Sequence, residues 1–246
     1  MRHLVRSTVR LLLVCVCAVM ILAASVAGVL VLPQPLFTYH VAHGRLELYS
    51  DRPFNPDSGR RVLADVERRI ARSPLDHRDG VHRIFVANRE WRRHLVFLWS
   101  YGAGGLNYHP LTRNVFIRES DINADRVLST VGPVPPPRTL AYYGAHEIGH
   151  SLIGEHIGAF ANWRLPVWIR EGLADYIGFG GNVDIDALTR ALRSDEDELD
   201  PKRSELYARY RLLVAFMLER EGWSIDRLLA SNMPQAEAEK RVLARP

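Results

Sequence analysis

The stretch TLAYYGAHEIGHSLI, residues 139–153, decides how this chain is read. It is compatible with a helix, and its apolar neighbours would sit in a core. Within it His146 and His150 stand four residues apart. Positions at that spacing are rotated by only ~40° about a helix axis, so both imidazoles leave one face. Two nitrogen donors on one face suit a single zinc ion, and Glu147, next to the first of them, can reach a water held by the metal. A catalytic zinc site needs a third protein ligand and an open position. Two residues downstream compete for that role. His156 lies ten residues after His146, yet on an unbroken helix it would stand ~80° off the His146 face and ~9 Å beyond His150 along the axis. It could ligate only if the helix broke early. Glu171 lies 21 residues after His150, in the sequence WIREGLADY of residues 168–176, where Asp175 follows it by one turn so that both carboxylates share a face.

These two motifs resemble those of the gluzincins, the thermolysin-like clan of zinc metallopeptidases, and W-x-x-E-G-x-A-x-Y resembles the peptidase MA-like branch in particular. The resemblance covers residues 139–222. It implies a zincin-like α+β fold, with His146, His150 and Glu171 as zinc ligands and Glu147 as general base in peptide hydrolysis. It implies that Asp175 orients His146 through its ring N–H. It also implies a tyrosine on a late helix facing the metal. Tyr207, fifteen residues before Gly222, is the first choice for an oxyanion donor, and Tyr210, one turn later, competes with it. The rival resemblance is to the metzincins, HExxHxxGxxH, with His156 as third ligand. Here Ile153 stands where that pattern has glycine, and Gly154 follows it. A third reading is a non-catalytic zinc-binding protein of the cell envelope, against which an intact Glu147 argues.

Working outward, residues 202–221 and 224–231 read as helices, as do 166–177 and 183–193. Pro166 and Pro201 fit helix starts, where a missing N–H is harmless. Gly132 to Pro137 contains four prolines and reads as a loop. Upstream the signals change. Arg45 to Tyr49, Val81 to Val86 and Asn114 to Arg118 read as strands. Arg60 to Ile70 and Glu90 to Trp99 read as helices, and Tyr101 to Gly105 as a flexible turn. The strand from Val115 to Arg118 has two readings, a sheet edge that pairs with an extended substrate or an ordinary core strand. The chain thus divides into a small mixed sheet with helices and a helical C-terminal half, together one α+β domain over 45–246. His3, His40, His43, His77, His82, His94 and His109 show no ligand spacing.

Residues 11–32 are apolar except for Ser25 and Gly28, and as a helix they would reach ~33 Å, enough to cross a hydrocarbon core of about 30 Å. Arg2, Arg6 and Arg10 precede the run without any acid, which predicts a cytoplasmic N-terminus and an exported remainder. We read residues 1–32 as a transmembrane signal anchor and 33–44 as a linker. Ser25-Val26-Ala27 also resembles a signal-peptidase site, which would release the domain. Of the 246 residues, this segment takes both cysteines, Cys15 and Cys17, and three of the 32 basic side chains. The remainder keeps 29 basic against 28 acidic residues, a net of +1, which gives no case for nucleic-acid binding and none for a disulfide framework. The expected partners are a peptide or protein substrate and the membrane.

Overall fold

The computed structural model describes residues 2–75, 80–129, 132–199 and 207–244. Its architecture is mixed α+β, preceded by one long apolar helix. Helix α1, Arg2–Val31, contains a 20-residue apolar stretch, Leu12–Val31, long enough to cross a membrane. A 3-10 turn at Gln34–Leu36 leads into β1, Tyr39–His43, which pairs antiparallel with β2, Leu46–Ser50. Gly44 in their connection has φ +57°, a conformation that other residues adopt only with strain. Residues 33–44, expected as a linker, therefore hold a turn and a strand of the sheet. The polar, outward-facing side chains of β1 hid it, because only Val41 of the five is buried.

Helix α2, Pro56–Ile70, starts at Asn55, whose Oδ1 accepts from the amides of Asp57 (2.8 Å) and Ser58 (3.4 Å). Strand β3, His82–Val86, pairs parallel with β2. Helix α3, Glu90–Phe97, and a 3-10 turn at Leu98–Ser100 lead to β4, Gly105–Asn107, and β5, Val115–Ile117. The sheet order is β1-β2-β3-β5-β4, with β3 and β5 parallel and β4 antiparallel to β5. This decides between the two readings of the strand from Val115 in favour of the core strand. Val115 to Ile117 lies inside the sheet and is fully buried. The edge strand at this end is β4, which shares only Gly105 with the segment read as a flexible turn. Three short strands, β6 (Ser120–Asp121), β7 (Arg126–Ser129) and β8 (Gly132–Pro133), form a second small sheet. Gly132 and Pro133, expected in a loop, are its last strand.

The helical half comprises α4, Leu140–Ile157; α5, Ala159–Arg164; α6, Val167–Gly178; and α7, Ile185–Arg193. It continues with a 3-10 turn at Asp197–Leu199, then α8, Ala208–Ala215, running into a π-helical turn at Phe216–Arg220. Two further helices follow, α9 (Ile225–Leu229) and α10 (Gln235–Ala244). The expected helix start at Pro201 lies outside the described residues. Pro166 immediately precedes α6, as its sequence position predicts.

Strand alternation sends side chains to two cores. Ile84 and Val86 of β3, with Val115 and Ile117 of β5, join Val62 and Val66 of α2 and Ile148 of α4 in the larger one. Phe85 and Phe116, on the opposite face, join Val96 and Phe97 of α3 and Leu30 of α1. A sheet buried on both faces explains the apolar runs Ile84 to Val86 and Val115 to Ile117. On the larger core's side, α4 packs against α2 and α6, and α6 against α8. That stack positions the site.

Candidate metal centre

Thr139 caps α4, its hydroxyl accepting from the Tyr142 amide (3.2 Å). The helix then runs unbroken to Ile157, so His146 and His150 share a face, their rings 4.9 Å apart and nearly perpendicular. Helix α6 crosses close to α4 at Gly149. A Cβ at that position would lie 3.2 Å from the Cα of Ala174, a tight contact that would make the backbone of α6 shift by a few tenths of an ångström. The small residue between the two histidines thus lets α6 carry Glu171 up to them. Glu171 Oε2 lies 3.5 Å from His150 Nε2 and 3.8 Å from His146 Nε2. One ligand atom from each of the three lies within 4.8 Å of the others. These residues could hold one metal ion. Two imidazole nitrogens and a carboxylate oxygen form a donor set that suits zinc. Burial opposes ionisation of Glu171, but the charges and hydrogen bonds of His150 and His146 outweigh it and hold the carboxyl well below the usual range.

Glu147 points into the same cleft and is buried. Burial pushes its carboxyl up to about 7, His150 pulling it down and Glu171 adding to the rise. Edge strand β4 passes directly over it: a Cβ on Gly105 would lie 2.7 Å from Glu147 Cγ and Oε1. Beyond Glu147 the Asn107 amide donates to the Ser151 hydroxyl (2.7 Å), so β4 runs alongside α4. The space between them is a cavity of ≈710 Å³, reached by Arg138, Trp163 and Arg170 besides the site residues.

Tyr207 lines this cleft, its ring parallel to His146 at 5.9 Å. Burial, with Glu171, Glu147 and Asp175 nearby, raises its phenol to about 12, so it stays a donor at neutral pH. Tyr210 stacks behind Tyr207 at 5.9 Å and does not line the cleft. His156 is brought elsewhere, its Nε2 2.7 Å from Asp226 Oδ1. Because α4 does not break before Ile157, His156 cannot join the other two histidines.

Asp175 is fully buried and does face His146, but the pair stand 3.8 Å apart, Oδ1 to Nδ1, too far for a hydrogen bond. The expected Asp175–His146 bond is therefore corrected. The carboxylate is taken by two other donors, the Tyr142 hydroxyl and the Arg211 guanidinium, and His146 Nδ1 has no hydrogen-bond partner among the described residues. Arg211 also lies over the Phe179 ring at 3.7 Å. Tyr142, Arg211 and Gly105 are the residues that the motifs did not reveal. A signal existed for two of them. Tyr142 is one turn before His146, and Arg211 is one turn after Tyr207, so each shares a face with a residue already singled out. His109, without ligand spacing, also lines the cleft, where burial lowers its pKa.

No family model, curated protein or solved structure matches this chain. The class of protein is thus defined by fold and site alone: a mixed α+β chain with one apolar N-terminal helix and a His-His-Glu group able to hold a metal ion.

Proposed function

We propose that this chain is a membrane-anchored zinc metallopeptidase of gluzincin type with a zincin-like fold. The observation that carries this reading is the convergence of His146, His150 and Glu171 at the floor of an open cleft, with the buried carboxyl of Glu147 beside them. A structural zinc site is closed and has no use for a base; an open one with a base suits hydrolysis. Zinc held by these three residues would polarise a substrate carbonyl and ease the deprotonation of water.

The chain's own residues supply the rest. Glu147, low in water contact and raised to about 7, takes the proton of the attacking water on a carboxylate oxygen and passes it to the leaving amide nitrogen. The protonated Tyr207 hydroxyl donates to the oxyanion that develops on the former carbonyl. Strand β4 borders the cleft as the outermost strand of its sheet among the described residues, which suits pairing with an extended peptide. We place the N-terminus in the cytoplasm and the peptidase domain outside, because Arg2, Arg6 and Arg10 cluster on the N-terminal side of the apolar stretch of α1.

Elemental analysis of the purified chain tests the metal assignment. About one zinc per chain is expected for the wild type and for His156→Ala, and loss of it for Glu171→Ala. Retention by Glu171→Ala with loss in His156→Ala would reverse the assignment.

A further inference from the structure

The last turns of α1 belong to the folded domain. Leu30 is only 3% exposed and packs with Phe37, Phe97 and Phe116. The Asn114 side-chain amide donates to the carbonyls of Leu30 (2.8 Å) and Val31 (3.1 Å), reaching across 84 and 83 residues to close the helix end. The Ser25-Val26-Ala27 triplet lies inside the continuous helix.

This docking has a consequence for depth. From Leu12 to Ser25 the helix is exposed, and from Val26 it begins to enter the domain. Even counted from residue 11, where the apolar run starts, the residues before the docked turns reach only ~22 Å, short of the ~30 Å hydrocarbon core. The remaining depth must come from the docked turns, which draws the surrounding surface into the interfacial layer. That surface is apolar where it should be. Leu98 packs against the same core as Leu30, and the next residue, Trp99, is 88% exposed. Leu32, directly after α1, is exposed as well. Tryptophan, with an apolar body and an N–H, is the residue that favours this layer.

We propose that the domain is seated on the bilayer through the turn after α3, with Trp99 in the interfacial layer and α1 as a rigid stalk fused to the fold. This rests on the reading of α1 as a retained anchor. Gly102, at the rim of the cleft, follows Trp99 by three residues, which limits their separation to ~10 Å. The cleft is then presented to polypeptide segments lying close to the membrane surface.

The test uses the full chain in phosphatidylcholine vesicles whose acyl chains carry bromine either near the headgroup or near the chain end. No tryptophan precedes Trp91, so the fluorescence reports the domain alone. Bromine near the headgroup is expected to quench the wild type more than bromine at the chain end. Trp99→Phe should lose most of that quenching, and Trp163→Phe should keep it. Wild type left unquenched, or Trp99→Phe quenched like the wild type, would overturn the seating while leaving the anchor intact. An intact-mass measurement on the membrane-bound chain separates the underlying reading. Retention of residues 1–32 supports the stalk, and their loss overturns both anchor and seat.

Discussion

Asp175, buried and charged, depends on partners from two other helices. Tyr142 lies on α4 and Arg211 on α8. Removing the cation leaves an uncompensated carboxylate in the interior, a loss of about 3–5 kcal/mol. Arg211→Ala should therefore lower the unfolding free energy by that much, measured by circular dichroism in urea. Arg211→Lys should restore only part of it, because one ammonium cannot reproduce a planar fork that also lies over Phe179. Tyr207→Phe is a different case, since its hydroxyl is assigned to the developing oxyanion. It should reduce kcat by ~10²-fold or more with KM little changed. Tyr210→Phe, behind it, should leave kcat near the wild-type value. Equal effects of the two tyrosine substitutions would contradict the placement of Tyr207. The residues carrying charge and protons were legible wherever helical spacing grouped them. The bonds of Asp175 were not, because Arg211 is 36 positions away and spacing along one helix says nothing of a contact between two.

Among the elements, α4 and α6 announce themselves through motif spacing, while the closest backbone approach of α8 to α6 is at Gly172. A Cβ there would meet the Tyr210 carbonyl oxygen at 2.5 Å. Gly172→Ala should cost about 1–3 kcal/mol by overpacking, and by pushing α8 away it should move Tyr207 and lower kcat. Thermal unfolding and steady-state kinetics check the two parts, and an unperturbed kcat would show that α8 yields without displacing Tyr207. Strand β4 was illegible for a physical reason. Gly105-Leu106-Asn107 has no period of its own and becomes a strand only by pairing with β5, and glycine is needed where it passes over Glu147. Strand β1 escaped for the opposite reason, since its mostly exposed side chains leave no alternation of apolar residues. Strand β5 and the end of β3, Ile84 to Val86, were legible because burial on both faces demands apolar residues, and β2 because Leu46 and Leu48 alternate with Glu47 and Tyr49.

Across the whole molecule, two cores share one sheet, and they divide the labour. The larger holds the helices that carry the candidate metal centre, and the aromatic one holds the end of α1. Phe116→Ala, in the aromatic core, should cost about 3–5 kcal/mol and expose the junction near residues 28–36 to limited proteolysis. Zinc content under native conditions should not change. Loss of zinc in that variant would mean that the cores are not separable. The opening stretch of 15 residues thus reads correctly as one helix with two histidines on a face, but its chemistry depends on everything packed around it. Digestion of a broad peptide library by the full chain, wild type beside Glu147→Gln, tests the central claim most directly. Wild type should cleave internal or terminal peptide bonds, and Glu147→Gln, with its zinc still bound, should cleave at least ~10²-fold more slowly. Equal cleavage by the two, or none by a zinc-loaded wild type, would contradict the assignment of this chain as a peptidase.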